Sequence, residues 1–296
     1  MIYCYNSFML EIFCAIYPEA KPFIQHLHLK KVSFKNVDCF MNEEETIRLS
    51  LTGVGKVKAS SVVTSILEDS DDPFVLSFGS SAYLQEEHDD VYIANRITDI
   101  DTGMSYYPDV VWKLNIEECS FVCGSQLLSS SSYSRVSIKP LINIKEYLQQ
   151  FIKEEPSYML YDMESSAIYE TANQWIGPER MIFMRFGSDN DSSSVSAESI
   201  SKMAESIYPK VKEVIDLVMA FKNDSISFNE TVISSFCEHI HATRSMESQV
   251  KQICLYCLNS DIDYQSIIQE YLNVDISNKE EGKRVFDEFR KKCCEE

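Results

Sequence analysis

Positive charge is what this 296-residue chain has least of: 27 lysines and arginines stand against 46 aspartates and glutamates, a formal net charge of −19. So acidic a surface is a poor partner for a phosphate backbone or an anionic membrane, and neither nucleic acid nor a membrane is an expected partner. A local basic pocket is compatible with that balance, so a small anionic substrate stays open. Long apolar runs are missing as well. No stretch of eighteen apolar residues occurs, which removes a membrane-spanning helix from the expectations. The opening Met1-Ile-Tyr-Cys-Tyr-Asn-Ser7 lacks a basic n-region and a cleavage-like site, so no signal peptide is expected. Ten cysteines are present, but they are scattered through a chain able to bury its own core. Reduced thiols and a cytoplasmic location are therefore the expectation, in preference to a disulfide framework.

What is there centres on Leu160-Tyr-Asp-Met-Glu-Ser-Ser-Ala-Ile-Tyr-Glu170. An apolar strand end, Tyr158-Met159-Leu160, passes into a helical pattern with Met163, Ala167, Thr171 and Trp175 four apart. Asp162 and Glu164 fall at the junction, where free helix N–H groups favour a carboxylate and hold its direction. Acids at the carboxyl end of a strand face the crevice in which open α/β sheets bind small molecules. The plainer reading is an N-cap acid with one solvated neighbour.

Earlier in the chain, residues 1–6 read as a strand, and Phe8 to Leu29 as a strand, a loop around Glu19 and a helix entered at Pro22. Val37–Phe40 and Thr46–Leu51 read as a strand pair across the polar turn 42–45. Thr52-Gly-Val-Gly-Lys-Val then describes a tight turn into the helix Val57–Leu67, without the third glycine of a dinucleotide fingerprint. Phe74–Phe78 is a buried strand, expected to end in the small residues Gly79-Ser80-Ser81-Ala82, whose N–H and hydroxyl groups suit a ligand. Further strands are expected at Val91–Ile97, Ser120–Cys123 and from Arg180, with a mobile serine loop at Ser129–Ser134. Met181-Ile-Phe-Met-Arg-Phe runs into the polar Gly187-Ser-Asp-Asn-Asp191. The alternation of strands and helices predicts an α/β fold with a central mixed, mostly parallel sheet flanked by helices. Composition shifts at Lys222–Ser225, which divides the chain into a domain over 1–221 and a C-terminal helical appendage over 226–296. Cys254-Leu-Tyr-Cys257 lies inside one of its helices with no second pair at zinc spacing, so core-facing cysteines are expected.

Glu19, Gly79-Ser80-Ser81, Asp162-Met163-Glu164 and Arg185-x-x-Ser188-Asp189 all fall at strand ends. With the Thr52-Gly-Val-Gly-Lys-Val turn they occur in an order and spacing that resemble the nucleoside phosphorylase and nucleosidase superfamily over roughly residues 1–220, most closely the methylthioadenosine and S-adenosylhomocysteine nucleosidases. The stretch Asp101-Thr-Gly…Tyr106-Tyr-Pro-Asp109 is similar to a clostridial-type subgroup of predicted nucleoside phosphorylases. The resemblance implies a nucleoside phosphorylase-like fold and an N-glycosidic bond as the reacting centre. It implies that Asp189 protonates or hydrogen-bonds the purine at N7 and that Glu164 grips the ribose hydroxyls over Met163. Glu19 would activate water and Arg185 orient the Glu19 carboxylate, while Ser80 and Ser188 line the substrate. No cofactor and no metal are implied, with phosphate a co-substrate only in a phosphorylase, and a homodimer is implied. The chemistry is coherent: breaking a ribosyl–base bond builds positive charge on the sugar and negative charge on the base, which carboxylates and a proton donor respectively relieve.

Three readings follow: a purine nucleosidase, a phosphorylase of the same fold, and a non-catalytic nucleoside-binding or interaction protein. Before the central stretch the only arginines are Arg48, Arg96 and Arg135, none of them matching a phosphate-binding position of the family, and Glu19 at the attack site would repel phosphate, which favours water. The chain also departs from the family. Ser81 and Ala82 stand where a second glycine or glycine pair is usual, Gly124-Ser-Gln-Leu127 replaces Gly-Asp-Ala-Phe, and Tyr3–Phe8 replaces a glycine-rich start. The substrate is thus expected to differ from methylthioadenosine, or turnover to be weak.

Overall fold

The computed structural model describes residues 8–70, 72–84, 90–112, 114–126, 159–189, 196–223, 230–260, 262–276 and 278–294. The chain forms two compact units that divide between Met219 and Ala220, residues 111–113 apart. Among the described residues no helix is long and apolar enough to cross a membrane.

The first unit is a mixed α/β structure. Its order is β1 (Met9–Cys14), α1 (Tyr17–His26), β2 (Lys30–Phe34), β3 (Val37–Met41), β4 (Ile47–Leu51), α2 (Lys56–Leu67) and β5 (Pro73–Tyr83). There follow β6 (Val91–Asp99), β7 (Ser105–Tyr106), β8 (Glu118–Cys123), β9 (Met159–Asp162), α3 (Ser165–Ala172), β10 (Met181–Asp189) and α4 (Ala197–Asn223), of which the part up to Met219 belongs to this unit. The centre is β5, whose Phe74-Val-Leu-Ser-Phe78 run is buried throughout, as a strand covered on both faces should be. It lies parallel to β1 on one side and to β10 on the other, while its last residues, Ala82 and Tyr83, pair antiparallel with β9. β10 pairs with β6, β6 with β8, and β8 with β9, so five strands close into a ring. Closure leaves those strands no open edge. The β1–β4–β3–β2 wing extends from it. Residues of α2 and α3, among them Ala59, Val63, Ile66, Ile168 and Ala172, join Phe121 and Phe183 in one core.

Several expectations change. α1 starts at Tyr17, so Glu19 sits in its first turn and not in a loop. Pro18 lacks only an N–H that the first turn would leave unpaired anyway, so it opens the helix, and Pro22 lies inside. β5 does not stop at Phe78: Gly79–Ala82 continue as strand because Arg185–Asp189 of β10 run alongside and take their backbone bonds. Pairing here overrides weak strand propensity. α3 ends at Ala172, so Trp175 lies beyond it and is 40% exposed. β2 had no clear sequence signal; it joins β3 through Lys35 and Asn36, both at positive φ (41° and 61°), a two-residue hairpin turn. The expected strand at residues 1–6 lies outside the described residues, as do the serine run 129–134 and Leu127.

The second unit contains α5 (Glu230–His239), α6 (Arg244–Asn259), α7 (Tyr264–Leu272) and α8 (Lys279–Cys294). Thr243 and Asp263 cap α6 and α7, accepting the N–H groups of Met246 and Ser266. Phe236, Ile240, Val250, Ile268, Phe286 and Phe289 are its buried centre, and Cys254 and Cys257 point into it. Gly282 is required where α8 passes the end of α5: a Cβ there would lie 2.0 Å from the Ile240 carbonyl oxygen.

Candidate functional site

The parallel strands β1, β4, β5 and β10 bring their carboxyl ends to one side of the sheet, and the polar residues of the four sequence segments meet there. Glu19 is 2% exposed. Its Oε2 accepts the N–H groups of Ala15 (3.0 Å) and Ile16 (3.1 Å), just past β1, and so caps its own helix. Its Oε1 accepts both the N–H (2.8 Å) and the hydroxyl (2.7 Å) of Ser80 on β5. Burial raises its pKa; the Ser80 and Ile16 donors and the Arg185 charge pull the other way.

Asp162, at the end of β9, is buried and takes the Nε–H of Arg185 at 2.8 Å. It also accepts the N–H (3.2 Å) and the hydroxyl of Ser165 in the first turn of α3. Glu164 is likewise buried, and its Oε1 accepts the Gly55 N–H at 2.7 Å. Neither acid is the solvated neighbour that the plainer sequence reading allowed. Burial, with the Asp162 charge second, pushes the Glu164 pKa up to about 7, while Gly55 and Arg185 oppose and Glu19 adds to the rise. Gly55 can reach this acid because it holds φ at 101°, a backbone state closed to most side chains.

Arg185 is buried on β10 and does not orient Glu19 by a hydrogen bond, contrary to expectation. Its donors go to Asp162, the Met184 carbonyl (2.9 Å), Ser77 Oγ (3.0 Å) and Ser165 Oγ (2.8 Å); it reaches Glu19 only through its charge. The reason is register. Arg185 pairs with Gly79 on β5, which leaves Ser77 and the β9–α3 junction beside its guanidinium.

Met163 is half-buried against Val122, Met159 and Tyr161. Ser188, also half-buried, donates to the Ser81 carbonyl at 3.2 Å. Asp189 closes β10, its backbone paired with Ala82, and its side chain lies outside the described residues. Glu19, Ser80, Glu164 and Arg185 therefore belong to one polar cluster, with Asp162 as a fifth member.

The sequence had not marked Ser77, Ser165 and Gly55 as partners of that cluster, nor the ion pairs of Lys56 with Asp99 and Asp101. A serine inside the apolar run 74–78 was the one available signal. Among the described residues the cluster holds three buried carboxylates against a single guanidinium, an arrangement that favours positive charge arriving from outside.

No protein-family model matches the chain, and no curated protein matches it by sequence. Solved structures do match. A futalosine hydrolase mutant of Helicobacter pylori superposes with a TM-score of 0.55 at 15% identity, covering 71% of this chain and 99% of its own. The 5′-methylthioadenosine/S-adenosylhomocysteine nucleosidase of the same organism, bound to a pyrrolidinol compound, gives 0.55 at 16% over 71% and 98%. The corresponding Streptococcus nucleosidase (S. pneumoniae), with a transition-state inhibitor, gives 0.53 at 17% over 69% and 96%. The chain has the fold of these nucleosidases.

Proposed function

We propose that this protein hydrolyses the N-glycosidic bond of a purine nucleoside or a related thionucleoside, releasing free base and the ribose moiety. The observation that carries the reading is the excess of buried carboxylate at the strand ends: among the described residues, Glu19, Asp162 and Glu164 share the one buried guanidinium of Arg185. Such a site answers the positive charge that grows on a sugar as its base departs. Glu19 takes a proton from water as the water oxygen bonds to the anomeric carbon. The carbon–nitrogen bond breaks, its electrons pass to the base, and Asp189 supplies the proton there. Glu164 accepts from the ribose hydroxyls, with Met163 beneath the ring and Ser80 and Ser188 alongside. The raised pKa of Glu19 suits a base, since a carboxylate that holds its proton more tightly also takes one more readily.

Water is preferred over phosphate because Arg185 is already engaged. Three of its nitrogens donate to four acceptors, which leaves no bidentate fork for a dianion. The fold shared with enzymes described as nucleosidases supports the same choice. A homodimer and the absence of a cofactor are parts of this proposal that rest on the resemblance, and a cytoplasmic location is a part that rests on the scattered cysteines.

The test is incubation with a panel of purine nucleosides, with and without phosphate, reading base and sugar products. Free ribose without phosphate dependence is expected, and Asp189→Asn should lower base release by about 10²–10³-fold with the fold intact. Ribose 1-phosphate as product would overturn hydrolysis, and full turnover by the variant would overturn the acid role.

A further inference from the structure

Lys56 opens α2, one residue after the Gly55 N–H that binds Glu164. Its ammonium lies 2.5 Å from Asp99 Oδ2 and 2.7 Å from Asp101 Oδ2, and its side chain is only 17% exposed. Asp99 is itself buried at the end of β6, where its Oδ1 accepts the N–H groups of Asp101 (2.9 Å) and Thr102 (3.1 Å). Its Oδ2 also accepts the Ser166 hydroxyl at 2.6 Å. Ser166 stands two residues after Glu164 in the first turn of α3. The contacts close a ring: Glu164 to Gly55, Gly55 along the chain to Lys56, Lys56 to Asp99, Asp99 to Ser166, and Ser166 back along the chain to Glu164. A second tie, Thr171 Oγ1 to Ser60 Oγ at 3.1 Å, joins α3 to α2 farther along.

Glycine is the residue least able to hold its own backbone direction, because it has the most freedom to lose. Gly55 makes no side-chain contact of its own that could lock the φ of 101°. Its carbonyl accepts the Ala59 N–H at 3.1 Å in the first turn of α2, and the next residue in the chain is the one fixed by two carboxylates. We propose that Lys56 is a positioning residue: its ion pair with Asp99 aims the Gly55 N–H, and through it the Glu164 carboxylate that holds the ribose. The ring stands on geometry, while its consequence for the sugar rests on the functional reading above.

The experiment compares the full-length protein with its Lys56→Met, Lys56→Arg and Asp101→Asn variants in two measurements. The first is the carboxyl carbon titration of Glu164 by NMR, without substrate. Besides Gly55, the side chains that bear most on this carboxyl are Asp162, Arg185 and Glu19, and none of them is altered. Loss of the aimed N–H removes a donor that favours the charged form, so Lys56→Met should move the midpoint upward by about one pH unit. Lys56→Arg, which keeps the charge, should move it less. Asp101→Asn removes only the more exposed partner and should shift it in the same direction by a smaller amount, which carries the test should Lys56→Met not fold.

The second measurement is steady-state nucleoside cleavage. Lys56→Met should raise KM roughly tenfold, the scale of one charge-assisted hydrogen bond, with kcat changed less. A purely structural lysine would lower the yield of folded protein without moving the Glu164 midpoint or KM, and that result overturns the proposal. A shifted midpoint in a protein that cleaves no nucleoside leaves the positioning role standing and overturns the sugar-binding reading instead.

Discussion

The two units of this protein treat buried charge in opposite ways. In the α/β unit Glu11, Glu19, Arg48, Asp99, Asp162, Glu164 and Arg185 are all buried. In the helical unit the described buried residues are apolar or cysteine, and ion pairs such as Lys292–Glu270 and Arg284–Glu288 lie on the outside. Burying a charge is costly unless it is paired and hydrogen-bonded, so a unit that only has to hold together gains little from doing so. Burial of charge alone is nevertheless not the mark of a site. Glu11 and Arg48 form a closed one-to-one pair, with Arg48 Nε 2.9 Å from Glu11 Oε2 and Ser70 completing it. At the strand ends the numbers do not match, and the unbalanced carboxylates are what a cationic sugar could use.

The most disruptive change should be Arg185→Met. It leaves Asp162 buried without its cation and is expected to lower the unfolding free energy by about 3–5 kcal/mol in denaturant titrations. A loss no larger than that of an exposed pair would mean the cluster is wetter than its burial implies. Next in size is a pH effect. The Glu164 pKa is raised from 4.5 to about 7, so in that window the folded protein holds a proton that the unfolded chain has released. Stability should therefore fall as pH rises from about 4.5 to about 7, by about 3 kcal/mol in all, and level off above. Glu164→Gln should flatten that slope, and an unchanged slope would place its origin elsewhere. The smallest effect belongs to the helical unit. Ile268→Val, at a fully buried position in α7, should cost about 1 kcal/mol and leave base release as it was. A change in turnover from that substitution would break the division of labour drawn here.

Much of this was legible beforehand because local chemistry repeats in known ways. Apolar runs marked β5 and β10, the Gly53-Val-Gly55 turn marked the start of α2, and Asp162 and Glu164 were visible as acids at a strand-to-helix junction. A helical appendage was expected over 226–296, and α5 to α8 lie there. The errors are equally physical. The surroundings of Glu19 read as a loop because the tolerance of Pro18 depends on where the helix starts, which neighbours decide. Gly79–Ala82 looked like a loop because small residues carry little strand propensity, and only the strand beside them supplied the missing bonds. Arg185 was assigned to Glu19, while the register against β5 set it beside Asp162, Ser77 and Ser165.

The order of residues by itself determined which groups could take part: the acids, the arginine, the glycine that permits φ of 101°, and the periodicities that separate sheet from helix. Only the tertiary structure decided how they pair. Hydrogen bonds between residues 61 and 109 positions apart, Glu19 with Ser80 and Glu164 with Gly55, depend on strand register and helix placement. Protonation is settled at that level too, because the rise of Glu164 to about 7 comes first from burial, which only the folded chain supplies.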